Sequence, residues 1–143
     1  MNLALGGDHA GFAMKEPVRA FLAAAGHAVT DFGTHNAEPV DFPDIAQLVC
    51  GSGVGDCIVG NKVPGIRAAV CHDLYSAHQC VEHDDVNVLC LGAQIVGIKL
   101  AEEILAAYLR AQFSTEDHFR RRVAKLGEME RAAARELGGD SGG

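Results

Sequence analysis

Asn2-Leu3-Ala4-Leu5-Gly6-Gly7-Asp8-His9-Ala10-Gly11-Phe12 opens the chain with a short apolar run, a glycine-bearing turn and the first residue of a periodic segment. An apolar run bounded by such a turn reads as a buried strand, here Asn2–Gly6 with the turn over Gly7–Gly11. The apolar spacing from Phe12 to Ala25, stopped by Gly26, reads as an amphipathic helix. The pattern then repeats. Ala28–Phe32 is a second strand, followed by a polar loop with Gly33, Asn36 and Pro39. Ile45–Val49 is an apolar run entering Cys50-Gly51-Ser52-Gly53-Val54-Gly55, and a helical stretch leads from there to Asn61-Lys62-Val63-Pro64-Gly65. Ile66–Cys71 reads as a strand, Leu74–Glu82 as a helix and Val86–Leu91 as another strand. Val96–Gln112, with Leu100, Ile104, Leu105, Tyr108 and Leu109, is a long amphipathic helix, and His118–Leu137 is a further helical segment.

Strands that alternate with helices through glycine-bearing turns predict a parallel sheet covered on both faces. The expected fold is therefore α/β, a Rossmann-like three-layer sandwich. One domain is expected over residues 1–137, with a flexible tail over 138–143.

Composition narrows the function. The 143 residues suffice for one core, and 48% hydrophobic with 22% charged residues is ordinary globular usage. No apolar stretch approaches the ~20 residues of a membrane span. No basic leader or cleavage site precedes the first strand, so a cytoplasmic location is expected. The net charge of −7, from 12 Lys and Arg against 19 Asp and Glu, argues against nonspecific nucleic-acid binding. Arg120, Arg121, Arg122 and Lys125 form the densest positive cluster. It is either the solvated face of a helix or a place for an anionic ligand. Cys50, Cys57, Cys71, Cys80 and Cys90 are odd in number and lack CxxC spacing, which fits reduced thiols better than a disulfide framework. No Cys or His spacing resembles a zinc site, so no metal is expected.

Open α/β sheets bind ligands beyond the carboxyl ends of their strands. Asp8 and His9 follow the first strand, and Cys50–Gly55 follow Ile45–Val49. His83, Asp84 and Asp85 instead precede the strand Val86–Leu91, at its amino end. Gly51, Gly53 and Gly55 free the backbone so that N–H groups of the turn, through Ser52 and Val54, point toward an anion or oxyanion. The spacing is neither GxGxxG nor a phosphate-binding P-loop, which weakens a nucleotide-binding reading; alone, such a turn is weak evidence, since most merely tighten a strand-to-helix corner. Cys50 heads the turn, where amides and a helix start would favour its thiolate, although a cysteine at a strand end is also a common buried small residue. His83 alone is equally ambiguous, and Asp8-His9 could simply cap the first helix.

Together the motifs are less ambiguous. Gly7-Asp8-His9-Ala10-Gly11-Phe12, Asp31-Phe32-Gly33, Asp41-Phe42-Pro43-Asp44, Cys50-Gly51-Ser52-Gly53-Val54-Gly55, Asn61-Lys62-Val63-Pro64-Gly65-Ile66-Arg67-Ala68-Ala69 and Glu82-His83-Asp84-Asp85-Val86-Asn87-Val88 resemble the ribose-5-phosphate isomerase B family, in family order over nearly the whole chain. The wider group includes galactose-6-phosphate isomerase subunits. The resemblance implies an aldose–ketose isomerase that needs no cofactor. It implies Cys50 as the base moving a proton between C1 and C2, and His83 as the residue that helps open the furanose ring. Asp8 and His9 match ligand-contacting positions, and Gly51, Ser52, Gly53, Val54 and Gly55 match the loop that holds the enediolate oxygens. Arg122 matches one phosphate-binding arginine, while His118 stands at the other. Some members carry a glutamate base at the position of Asp56, which makes Asp56 the alternative base. The family also implies a homodimer, or dimers paired into a tetramer, with a shared active site.

The chain departs from the pattern at three places. Between residues 44 and 50 one helix–strand segment is shortened: only Ile45-Ala46-Gln47-Leu48-Val49 separates Asp44 from Cys50, where an average helix plus strand takes about 16–18 residues. Asp84 stands where the family has asparagine, and His118 replaces an arginine. The leading expectation is isomerisation of ribose 5-phosphate to ribulose 5-phosphate. The alternative is an impaired paralogue that binds sugar phosphate or pairs with an active subunit.

Overall fold

The computed structural model describes residues 1–33, 49–50 and 52–139. The shortened segment, with Ile45–Leu48, and the loop carrying Asn36 and Pro39 lie outside them, as do Gly51 and the last four residues. In chain order the elements are β1 (Asn2–Leu5), α1 (Phe12–Ala24), β2 (Ala28–Asp31), β3 (Val49–Cys50), α2 (Val54–Gly60), β4 (Ala68–Val70), α3 (Leu74–Asp84), β5 (Val88–Gly92), α4 (Ile98–Arg110) and α5 (Asp117–Gly139). The alternation read from the sequence is present, and the fold is the expected Rossmann-like α/β layout.

Every strand pairing described is parallel. β1 pairs with β2 from Asn2 opposite Ala28 to Leu5 opposite Asp31. β5 is the middle of a second group in the order β3-β5-β4. Cys50 pairs with Gly92 on one edge of β5, and Val70 with Cys90 on the other. Between β1 and β5 lies an apolar cavity of about 240 Å³, with Leu3, Leu5, Val88, Leu89 and Leu91 among its walls.

The core follows from helical spacing. Met14, Val18 and Leu22 recur along one face of α1, and Ala101, Ile104 and Ala107 along one face of α4. These residues meet Leu5, Leu91, Val96 and Ala77 of α3 in one cluster. Each fully buried Leu, Ile or Met contributes about 1.5–3 kcal/mol relative to exposure. Under the second strand Lys15, 6% exposed in its side chain, pairs with Asp31 at 3.0 Å. Asp31 also accepts a bond from the Gly33 amide at 3.0 Å. A Cβ on Gly33 would lie 2.5 Å from the Gly7 nitrogen, so only glycine lets β2 leave so close to the first turn. The Asp31-Phe32-Gly33 motif is therefore structural.

Several element bounds differ from the sequence reading, two of them by a local hydrogen-bond pattern. β5 starts at Val88 rather than Val86, because Asp85 takes the left-handed conformation (φ 51°) and the Val86 amide turns back to the Cys80 carbonyl. That is how a helix satisfies its last carbonyls before the chain can enter a sheet. α4 starts at Ile98 rather than Val96, because the Ile95 and Val96 amides both bond the Gly92 carbonyl. α5 continues to Gly139. Among the described residues no helix is long and apolar enough to cross a membrane.

Candidate active site

The glycine turn leaves the sheet where β3 ends. Gly53 has φ 77° and caps α2, and a Cβ there would meet the Leu91 carbonyl carbon at 3.0 Å and the Gly92 nitrogen at 3.2 Å. The turn thus rests directly on the carboxyl end of β5. The Val54 amide donates to the Ser52 hydroxyl at 3.3 Å. Ser52 and Val54 are exposed, Gly55 is half-buried, and Gly51 lies outside the described residues. Cys50 is the last residue of β3, opposite Gly92. α2 has only 7 residues, so its dipole adds little, and what the turn offers is mainly the amides themselves. Asp56, expected as either a rival base or a surface carboxylate, is not on the surface: it is 4% exposed, on the helix that packs against β4 and β5.

Asp8 is occupied locally. Its Oδ1 accepts bonds from the Ala10 amide at 2.9 Å and the Gly11 amide at 3.0 Å, fixing the turn into α1. These bonds close the turn ahead of the helix; the N-cap position of α1 is Gly11, which no side chain caps, so Asp8 is not the helix cap that the sequence offered. His9 beside it is exposed.

A second group forms around an aromatic ring that sequence reasoning passed over. His83, in the last turn of α3, stacks on Phe119 with centroids 4.0 Å apart and 16° between planes. His118 lies against the same ring at 3.9 Å and 41°. The Arg122 guanidinium sits 5.8 Å from the ring centroid. The Ser114 amide donates to the Glu82 carbonyl at 2.9 Å, clamping the approach to α5 onto α3. The available signal was helical spacing: Phe119 precedes Arg122 by one turn and adjoins His118. Asp84 is exposed at the end of α3. Asp85 is structural, since Arg67 Nη2 donates to its carboxylate at 2.6 Å and Arg67 Nε to its carbonyl at 2.7 Å.

Asn61 is structural as well. Its side chain bonds both the amide and the carbonyl of Ala68 at 2.9 Å, acting as a short strand on the edge of β4. Asp73 caps α3 by accepting from the Ser76 amide at 2.8 Å, and the Ser76 hydroxyl, ahead of that amide, holds its carboxyl below the usual range. Among the described residues no cluster of three or more His, Cys, Asp or Glu is arranged to hold a metal ion.

The two groups lie at opposite ends of the sheet. α3 starts beyond the carboxyl end of β4 and returns His83 to the amino end of β5, while the Gly53 turn rests on Gly92 at the carboxyl end. The 5 residues of β5 span about 15 Å, more than a histidine side chain bridges. His83, His118 and Arg122 are brought together; Cys50 and the glycine turn are not with them.

A family model described as ribose/galactose isomerase matches residues 3–49 and 47–126. The chain belongs to the ribose/galactose isomerase family. The two matched segments meet at the point where the sequence is shortened. Ribose-5-phosphate isomerase B of Escherichia coli strain K12 is 40% identical over 135 residues, covering 84% of this chain and 91% of that protein. D-erythrulose-4-phosphate isomerase of Pectobacterium atrosepticum is 38% identical over 129 residues, covering 79% of this chain and 85% of the relative. The structure of ribose-5-phosphate isomerase B from Clostridium thermocellum superposes with a TM-score of 0.89 at 40% identity, over 93% of this chain and 99% of that one. Like these family members, the chain is an enzyme, a sugar-phosphate isomerase.

Proposed function

We propose that the chain interconverts an aldose phosphate and its ketose, ribose 5-phosphate and ribulose 5-phosphate first, through an enediolate. Cys50 takes the proton from C2 and returns it to C1, and His83 transfers protons in opening the furanose ring. Such a base works best with a proton affinity near the operating pH, which a thiolate supplies. Charge that develops on the enediolate oxygens is met by amides of the Gly51–Gly55 turn. Arg122 and His118 bind the phosphate, whose remote binding energy aligns the sugar. His9 and Asp84 contact the sugar; Asp8 acts through the turn it fixes.

One observation carries this reading: His83 and Arg122 share the Phe119 ring. In a furanose 5-phosphate the ring oxygen and the phosphorus are separated by only a few bonds. A histidine serving the ring oxygen and an arginine serving the phosphate must therefore be neighbours, and here they are. The carbons between which the proton moves lie at the sugar's other end, which the Cys50 turn serves. Because one chain holds the two groups at opposite sheet ends, the complete site is formed between two copies. Exposed Val54, Ile58 and Val63 near the turn give an apolar motive for such association.

The test is a coupled isomerase assay on ribose 5-phosphate, erythrulose 4-phosphate and a panel of other phosphorylated aldoses and ketoses. Turnover greatest with ribose 5-phosphate is the expected result. Phosphosugar binding without turnover would mark the chain as a binder, and the proposal would be wrong.

A further inference from the structure

The Gly53 turn rests on Gly92, so whatever fixes Gly92 fixes the turn. All of the Gly92 backbone is engaged. Its carbonyl accepts the Ile95 amide at 2.9 Å and the Val96 amide at 3.0 Å. Its own amide donates not to backbone but to the His72 Nε2 at 3.0 Å. β4 ends at Val70, and the last ladder bond beyond it runs from the Cys71 amide to the Cys90 carbonyl at 3.2 Å. The half-buried imidazole of His72 therefore supplies the acceptor that the departing strand no longer offers. The amide can only donate, so Nε2 carries no proton and the hydrogen sits on Nδ1. There is no slack in the contact: a Cβ on Gly92 would meet the Ser52 carbonyl oxygen at 2.8 Å, His72 Nε2 at 2.9 Å and Ile95 Cδ1 at 2.9 Å. Gly92 is also the residue paired with Cys50.

We propose that His72 is a positioning residue for the isomerisation: by holding the Gly92 amide it sets β5 under the Gly53 turn and fixes Cys50 relative to the amides that meet the enediolate. This rests on the function proposed above. Its role falls on the proton-transfer half of the site, and the phosphate group around Phe119 at the other end of β5 does not depend on it. Losing His72 should thus lower turnover while leaving phosphosugar affinity in place. A purely structural role would instead lower stability, with the active fraction keeping its turnover.

The experiment compares the full-length wild type with His72→Leu, which removes the acceptor, and His72→Gln, whose Oε1 can occupy the Nε2 position. Turnover and KM on the best phosphosugar are normalised to folded enzyme, and exchange of the Gly92 amide is followed by NMR. The expected result for His72→Leu is a kcat lower by about 10–100-fold, as for a slightly misplaced reacting group, with KM within about twofold and a faster-exchanging Gly92 amide. His72→Gln should recover most of both. Should His72→Leu fail to fold, His72→Ala, which leaves room for a water on the amide, carries the same expectation. Equal losses in the Leu and Gln variants, unchanged kcat in the Leu variant, or a loss confined to KM would overturn the proposal. A wild type that turns over no phosphosugar would overturn the function above and this role with it. An active wild type with insensitive His72 variants would overturn this role alone.

Discussion

Mixing two dead variants should give a live enzyme. Cys50→Ala removes the proposed base from one half of the site and His83→Ala removes the proposed ring-opening group from the other. Each alone should lose about 10²–10⁴-fold in turnover, the usual worth of a positioned acid or base. His83 stacks on Phe119 at the amino end of β5, and the turn after Cys50 packs on Gly92 at its carboxyl end. In the proposed two-fold dimer each site would be built from the turn of one copy and the Phe119 cluster of the other. In a mixed dimer one site carries both lesions and the other carries neither. Random pairing of equal amounts makes about half of the dimers mixed, so about a quarter of wild-type turnover should return. The assay is co-expression with two affinity tags, purification through both, mass confirmation of the mixed dimer and coupled isomerase kinetics; a doubly purified mixed dimer should reach about half of the wild-type rate. Mixed dimers that stay as inactive as their parents, beside an active wild type handled identically, would refute the division of the site between copies.

Other outcomes follow from the same geometry. Asp56→Asn should cost far less turnover than Cys50→Ala; the reverse order in steady-state kinetics would assign the base to Asp56. Arg122→Ala should raise KM for phosphorylated sugars about 10–100-fold, the worth of a charge-assisted hydrogen bond, with a smaller change in kcat. Asp31→Asn keeps an acceptor for the Gly33 amide but removes the carboxylate charge that pairs at 3.0 Å with the Lys15 ammonium, whose side chain is 6% exposed. It should lower stability by about 3 kcal/mol and Tm by about 10 °C in calorimetry. Lys15→Met combined with Asp31→Asn should recover most of that loss, because the buried ammonium is then gone and the Gly33 amide keeps its acceptor.

The sequence by itself determined the alternation of elements, the places where turns had to be glycine, and which chemical groups the chain carries. Those signals are local: apolar spacing records one face of an element, and a glycine turn needs only its own residues. Several motif residues were legible as types but not as roles. Asp8 was readable as either cap or ligand, and its bonds to the Ala10 and Gly11 amides hold the turn ahead of α1 rather than cap the helix. Asp56 read as a surface carboxylate as easily as a base, and packing of α2 on the sheet buries it. Phe119 and His72 were not legible at all. Their significance is a contact between elements far apart in the chain, His72 with an amide 20 residues on and Phe119 with the end of α3. Periodicity carries no record of which faces meet. The tertiary structure also decided that His83 and the Cys50 turn stand apart, because a crossover between parallel strands returns its helix to the opposite end of the sheet from the one it left. The fold thus separates, within one chain, residues that the proposed chemistry requires together.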